Sequence, residues 1–246
     1  MMVLPFTKMQ AQGNDFVIID NRDERLPEAR EDWIRRVAER RFGIGCDQVL
    51  YLLPDEYSAA RMLIFNNDGS MAANCGNGLR CAARLLMDRL GTRALHIALK
   101  DRTVAAEATD NGIRVHMGQA RIEAETEAHV DVHLGNRHRV FFEATEPLPS
   151  DRNIEIISGR IANHAWIDII ERGAGRTLAC GSGACATAVA IWHREQSVRP
   201  LVVEMPGGAV EVSGTPEALR LTGPVHYVFE GTCRLDALIE APSGAA

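Results

Sequence analysis

MAANCGNGLRCA, residues 71–82, and RTLACGSGACAT, residues 176–187, are two versions of one pattern. Each holds a cysteine, Cys75 or Cys180, followed by Gly-polar-Gly and a helix-forming run. A helix start offers exposed N–H groups and partial positive charge, which favour a thiolate and attract an anion. The glycines remove Cβ atoms, so backbone can approach a ligand closely. One such motif supplies an acid/base sulfur and a carboxylate cradle together. Two of them suit inversion at an amino-acid α-carbon, one sulfur removing the proton while the other delivers one. Free cysteines also serve simply as buried packing, the reading that fits Cys81, Cys185 and Cys233.

Working outward, GLRCAARLLMDRLG (78–91) sets Leu79, Ala82, Leu86 and Leu90 on one side and stops at Gly91, a natural C-terminal cap. GACATAVAIWHRE (183–195) is apolar nearly all round from Ala184 to Trp192, which predicts a buried helix. EAREDWIRRVAERR (28–41) reads as a third, amphipathic helix. Short strand-like runs fill much of the remainder: FVIID, MLIFN, LHIAL, IRVHM, VDVHL, RVFFEA, WIDII, LVVEM, AVEVS and LRLTG. Turn signals such as DNG (110–112) and PGG (206–208) separate them. Each half of the chain thus repeats strands, a Cys-Gly-x-Gly helix start and more strands, which predicts a duplication with a small-molecule site in the cleft between two similar domains. Only the tail, APSGAA, reads as frayed.

The chain has 246 residues, enough for two moderate domains, and a formal net charge of −6, which argues against nucleic acid as the main partner. Arg35, Arg36, Arg40 and Arg41 form a basic cluster that reads as a solvated helix face. No run approaches the roughly 18 apolar residues of a membrane helix. MMVLPFTKMQ lacks the basic-then-apolar order of a secretory signal, so the expected location is the cytoplasm, with no membrane partner. The six cysteines are then expected as free thiols. Their close pairs, C-x5-C and C-x4-C, do not match zinc knuckle spacing. Lysines are only Lys8 and Lys100, neither in a recognisable pyridoxal phosphate motif.

In order and spacing, MQAQGNDFVIID, GIGCDQ (43–48), FNNDGS (65–70), NCGNGLRC (74–81), GNRH (135–138), ERGAGRTLACGSGACA (171–186), PGGAVEV (206–212) and LTGPVHYVFEG (221–231) together resemble diaminopimelate epimerase over nearly the whole chain. The resemblance implies an α/β (α+β type) fold of two pseudo-symmetric domains. Each is a barrel-like, mostly antiparallel sheet around a central helix, with the active site in the interdomain cleft. The expected division is 1–117, completed by 225–246, and 118–224. The implied reaction interconverts LL- and meso-2,6-diaminopimelate, on the route to lysine and peptidoglycan precursors, with no metal and no cofactor. Cys75 and Cys180 would be the acid/base pair. The amides of Gly76, Asn77, Gly181 and Ser182 would hold the reacting carboxylate. Asn14, Asn66, Asn153, Glu171 and Arg172 match substrate-binding positions, with Arg172 forking onto the distal carboxylate. Gln48 and His138 match positions lining the site, and His138 with Glu171 would help set the protonation of a thiol. The family is often homodimeric.

The sequence departs from the family pattern in places. Gly-Asn-Pro-His appears as Gly135-Asn136-Arg137-His138, and the Glu of ERGxGET is Arg176. The stretch between Cys75 and GNRH is short. An alternative is a proline-racemase-type amino-acid racemase, against which the polar set Asn66, Asn153, Glu171 and Arg172 counts. A second isomerase of the same fold lacks the cysteine pair. A non-catalytic amino-acid or redox binding module would show no α-hydrogen exchange.

Overall fold

A computed structural model describes residues 3–143 and 148–234. The tail APSGAA, the end of the RVFFEA run and most of the segment 225–246 beyond Arg234 lie outside the described residues. In chain order the elements are β1 (Val3–Ala11), β2 (Asn14–Asp20), α1 (Glu31–Ala38), β3 (Gln48–Leu53), β4 (Ala60–Asn66), β5 (Met71–Ala72), α2 (Gly76–Leu90), β6 (Ala94–Ala98) and β7 (Thr103–Thr109). There follow β8 (Gly112–Gly118), β9 (Arg121–Glu125), β10 (His129–His133), β11 (Arg137–Phe141), β12 (Asn153–Ile161), β13 (His164–Glu171) and β14 (Gly175–Arg176). The last are α3 (Gly181–Glu195), β15 (Leu201–Met205), β16 (Gly208–Thr215), β17 (Ala218–Gly223) and β18 (His226–Arg234). By contacts the chain divides into one unit of residues 1–10, 15–106 and 225–246, and a second of 11–14 and 107–224. The change at 106/107 falls inside β7, whereas the sequence reading set it at 117/118.

In the first unit β1 pairs with β2 and, antiparallel, with β18. β2 runs parallel to β3, β3 antiparallel to β4, and β4 parallel to β6, with the two-residue β5 beside β4. The second unit repeats this sequence of ladders. β10 pairs with β11, β11 runs parallel to β12, β12 antiparallel to β13, and β13 parallel to β15, with the two-residue β14 beside β13. It continues antiparallel through β16 and β17 to β8. The Cys-headed helix occupies the same place in each repeat, between the second pair of parallel strands. The duplication is therefore written in the connectivity. The sheet does not close, so the barrel-like expectation is corrected to an open sheet around each helix.

Apolar burial explains the helices. α3 is buried almost continuously from Gly181 to Trp192, as its all-round apolar run requires. α2 buries Leu79, Cys81, Ala82, Ala83, Leu85, Leu86 and Met87, while Leu90, expected on that face, is 51% exposed at the last turn. Gly91 takes φ 66°, the left-handed cap conformation that glycine adopts without a Cβ penalty. α1 is shorter than the 28–41 stretch. After Ala38 its terminal carbonyls are taken by loop amides, Val37 O by Ile44 and Gly45 N–H and Ala38 O by Cys46 N–H. Glu39 turns back to accept from the Arg41 and Phe42 amides, which ends the helix. The buried face of α1, Trp33, Ile34, Val37 and Ala38, packs on Val17, Ile19, Val49 and Tyr51.

Candidate active site

The two cysteines sit in one local geometry, each within its own unit. Cys75 is the N-cap of α2 in extended backbone (φ −153°, ψ 104°), and its Sγ accepts from Gly78 N–H at 3.3 Å. Cys180 is the N-cap of α3 (φ −133°, ψ 110°), and its Sγ accepts from Gly183 N–H at 3.3 Å. Sulfur thus replaces the usual oxygen cap. Glycine leaves room for close packing at the third position after each cysteine. A Cβ on Gly78 would stand 3.1 Å from Leu50 Cδ2, and one on Gly183 would stand 2.5 Å from Glu155 Oε1. The first intrahelical bonds run from Leu79 N–H to Cys75 O and from Ala184 N–H to Cys180 O. Gly76, Asn77, Gly181 and Ser182 therefore carry first-turn amides, the groups a helix cannot satisfy internally.

In the first unit, β3–β4 register sets Gln48 opposite Asn66. Gln48 Nε2 donates to Asn66 Oδ1 at 2.9 Å, and Asn66 Nδ2 donates to Ser70 Oγ at 3.1 Å. Gln48 Oε1 is buried with no hydrogen-bond partner among the described residues. Asn77 is buried, and its Oδ1 accepts from the fully buried Arg80 at 2.7 Å. Asn74, beside Cys75, accepts from Arg102 at 3.0 Å. A charged knot underlies Gln48 and the start of β2. Asp47 N–H donates to Asp15 Oδ1 (2.9 Å) and Asp15 N–H to Asp47 Oδ2 (3.2 Å). Arg40 forks onto Asp15 (2.9 and 2.7 Å) and reaches Asp47 (2.8 Å), while Lys8 pairs with Asp15 at 2.7 Å. Arg40 is thus not merely a solvated charge. Burial alone would raise the Asp15 pKa, but the bonds from Arg40, Lys8 and Asp47 N–H outweigh it and pull it down to about 2.

In the second unit, Asn14 follows a turn in which Gln12 and Gly13 both have positive φ (50° and 80°). Gln12 Nε2 anchors that turn on Pro224 O at 3.0 Å. His138 and Asn153 are register partners on parallel strands β11 and β12. His138 is wholly buried, with Nδ1 2.8 Å from Glu155 Oε1 and Nε2 2.9 Å from Asn136 Oδ1. Asn136 Nδ2 reaches Ser182 Oγ at 3.4 Å, and Ser182 Oγ lies 3.4 Å from Cys180 Sγ. Glu171 Oε1 accepts from Thr177 Oγ1 at 2.7 Å. Asn153 Oδ1 accepts from Arg172 N–H at 2.9 Å, so that oxygen is already engaged in holding β13's end. The Arg172 side chain is exposed and enters no ion pair among the described residues.

Electrostatics reverse one expectation. A helix start lowers a thiol pKa, yet Cys180 is raised well above the ordinary thiol range. Burial is the largest cause, with Glu171 and Glu155 adding to it, and these outweigh the bonds from Ser182 and Gly183 N–H. Glu171 is itself raised, chiefly by burial, with its bonds to Thr177 and Cys180 opposing. Cys180 is thus held as a thiol. All six cysteines are free; Cys81, Cys185 and Cys46 are buried and Cys233 is only half-buried. Among the described residues no three His, Cys, Asp or Glu side chains group as metal ligands, and no helix is long and apolar enough to cross a membrane.

The sequence reading missed Glu155, Asn136 and Thr177. Glu155 carried a signal, a charge inside the apolar run NIEII, two residues from Asn153 and hence on the same face of β12. Both departures from the family pattern fall on exposed positions. Arg137 pairs with His133 in the β10–β11 ladder and lies 3.6 Å from Glu123, and Arg176 pairs with Ile170 on β14.

A family model described as diaminopimelate epimerase matches residues 6–123 and 131–228. The diaminopimelate epimerase of Alkalilimnicola ehrlichii is 36% identical, covering 96% of this chain and all of that protein. A chloroplastic diaminopimelate epimerase of Oryza sativa subsp. japonica is 32% identical, over 93% of this chain and 80% of that one. Among solved structures, a Bacillus anthracis phenazine biosynthesis protein of the PhzF family superposes with TM-score 0.75 at 16% identity, covering 95% of this chain and all of that one. An Agrobacterium vitis hydroxyproline epimerase with bound trans-4-OH-L-proline gives 0.71 at 12%, covering 94% and 92%. These last two share the fold; the sequence relatives and the family model show that the chain belongs to the diaminopimelate epimerase family.

Proposed function

We propose that the protein interconverts LL- and meso-2,6-diaminopimelate in lysine and peptidoglycan-precursor biosynthesis. The observation that carries the reading is the matched pair of cysteine-capped helices within a chain of this family. Inversion requires one sulfur as base and the other as acid at the same α-carbon. Cys180, held as a thiol by burial and two carboxylates, is the proton donor in one direction; Cys75 is then the base, and the roles exchange in reverse. First-turn amides at Gly76, Asn77, Gly181 and Ser182 bind the reacting carboxylate. Arg172 clamps the distal carboxylate, while Asn14, Gln48, Asn66, Asn153 and Glu171 take the remaining polar groups, and His138 acts from behind Cys180. The chemistry uses neither metal nor cofactor, and the enzyme works in the cytoplasm.

Incubation with LL-diaminopimelate in deuterated water tests this. Deuterium should appear at one α-carbon together with the meso isomer. L-proline should be left unchanged; its racemisation in preference to diaminopimelate would favour the proline-racemase reading.

The same reading includes a homodimer. β18 pairs with β1 and exposes Tyr227, Val228 and Phe229 together, with Val3 exposed on β1. Contiguous apolar residues on an exposed strand mark an association surface. Sedimentation should give a dimer, and Phe229→Glu a monomer.

A further inference from the structure

Glu155 is fully buried inside the second unit, and beyond its charge near Cys180 the reaction as described above gives it no role. Its Oε1 meets His138 Nδ1 at 2.8 Å, and its Oε2 has no hydrogen-bond partner among the described residues. A buried carboxylate with one oxygen unsatisfied destabilises the fold. It also opposes ionisation of Cys180, and it raises Glu171 as well. The first turn of α3 is shaped around it, because a Cβ on Gly183 would stand 2.5 Å from its Oε1. An amide or an apolar side chain at this place would avoid these costs. What only the carboxylate supplies is a strong acceptor for the Nδ1–H of His138.

From His138 the contacts continue in one direction. Nε2 meets Asn136 Oδ1, Asn136 Nδ2 reaches Ser182 Oγ, and Ser182 Oγ meets Cys180 Sγ. Nδ1–H donates to Glu155 and Nε2–H donates to Asn136 Oδ1, so the ring is fixed in orientation by both nitrogens and faces that chain of contacts. We propose that Glu155 is a positioning residue for proton transfer at Cys180, acting through the Nδ1–H of His138 and the Asn136–Ser182 contacts. This rests on the epimerase reading. The donated hydrogen bond also draws charge density from Glu155, so that thiolate formation at Cys180 faces Glu171 as its principal opposing charge.

The test uses Glu155→Gln, His138→Gln and the double variant in the full-length protein, assayed for epimerisation and α-deuterium exchange. Glu155→Gln should lower kcat by about 10- to 100-fold, as loss of an orienting partner does elsewhere, with KM nearly unchanged. Because Glu155 acts through His138, the double variant should be no slower than His138→Gln alone. Proton NMR should show a downfield, exchange-protected Nδ1–H resonance for His138 in the wild type, lost in Glu155→Gln and retained in Glu155→Asp. Should Glu155→Gln not accumulate as folded protein, Glu155→Asp serves in its place, keeping the resonance with a smaller loss of kcat. Additive losses in the double variant, an unchanged kcat, or absence of the resonance from the wild type would overturn the proposal. A wild type that exchanges no α-hydrogen overturns the epimerase reading and this role together. A wild type that exchanges while Glu155→Gln matches it overturns this role alone.

Discussion

Asp15→Asn would test the knot beneath Asn14 and Gln48. Asp15 is pulled to about 2 against an ordinary 3.8. At about 1.4 kcal/mol per pKa unit, this difference is worth about 2 kcal/mol of folding stability. Because the folded pKa is the depressed one, that contribution is full above about pH 5. It falls as pH drops through 3.8 and is gone below about 2. At neutral pH the variant loses more than this. Lys8 is only 7% exposed, and removing its carboxylate leaves a buried ammonium, a change that typically costs about 3–5 kcal/mol. Arg40 is more than half exposed and regains water, so its loss adds little. The expected result is a destabilisation of about 3 kcal/mol at pH 7 that shrinks by about 2 kcal/mol as pH approaches 2.5. Urea unfolding of both proteins between pH 7 and 2.5 measures it. Since Asp15 and Asp47 adjoin Asn14 and Gln48, KM for diaminopimelate should rise as well. A pH-independent gap between the two proteins would show that Asp15 does not ionise against Lys8 and Arg40, and the reasoning would fail.

Cys75→Ala and Cys180→Ala should each lower epimerisation by at least about 10²-fold in a folded protein, as loss of a proton-transfer group does, measured by circular dichroism of the products. Near-native turnover in either would end the two-base reading. Iodoacetamide at pH 7 should modify Cys75, which is half-exposed, well before Cys180, which is buried and shifted upward; peptide mapping decides it. Gly183→Ala places a methyl against Glu155 and should cost about 1–3 kcal/mol in thermal unfolding, although alanine normally favours a helix. Arg172→Lys keeps charge but loses the planar fork, so kcat/KM for diaminopimelate should drop sharply with stability unchanged.

How much the sequence disclosed follows from what each signal measures. The helix starts were legible because Cys-Gly-polar-Gly combines a cap position with close backbone approach, and both act within four residues. α3 was legible from continuous apolarity alone. QVLYLL, which forms β3, was not, because a strand buried on both sides shows no alternation. TVAAEAT hides β7, since alanine is a weak strand former. The retraction of α1 to Ala38 depends on loop amides of Ile44, Gly45 and Cys46 seeking its carbonyls, a tertiary fact. The same holds for the charged knot. Arg40 reads as solvent-facing from the 28–41 stretch, and only Asp15 on β2 and Asp47 just before β3 reveal its partners.

The reversal at Cys180 follows from a competition of magnitudes. The helix-start field acts within the first turn and contributes a fraction of a kcal/mol to about 2 kcal/mol in the best buried cases. Burial of a group and nearby like charge move a pKa by several units, each unit being about 1.4 kcal/mol. Cys180 is 6% exposed and accompanied by Glu171 and Glu155, so desolvation and carboxylates win over the amide of Gly183. The duplication kept the cap contact, 3.3 Å from sulfur to the third amide in both copies, but not the surroundings. Asn74 with Arg102, and Asn77 with Arg80, stand around the first helix start, where the second has Glu171, Glu155 and His138. The proposed two-base reaction begins with one protonated sulfur, and the surroundings of Cys180 favour the thiol there. The repeated motif gives each sulfur the same amide contact, and burial with Glu171 and Glu155 holds one of them, Cys180, as a thiol.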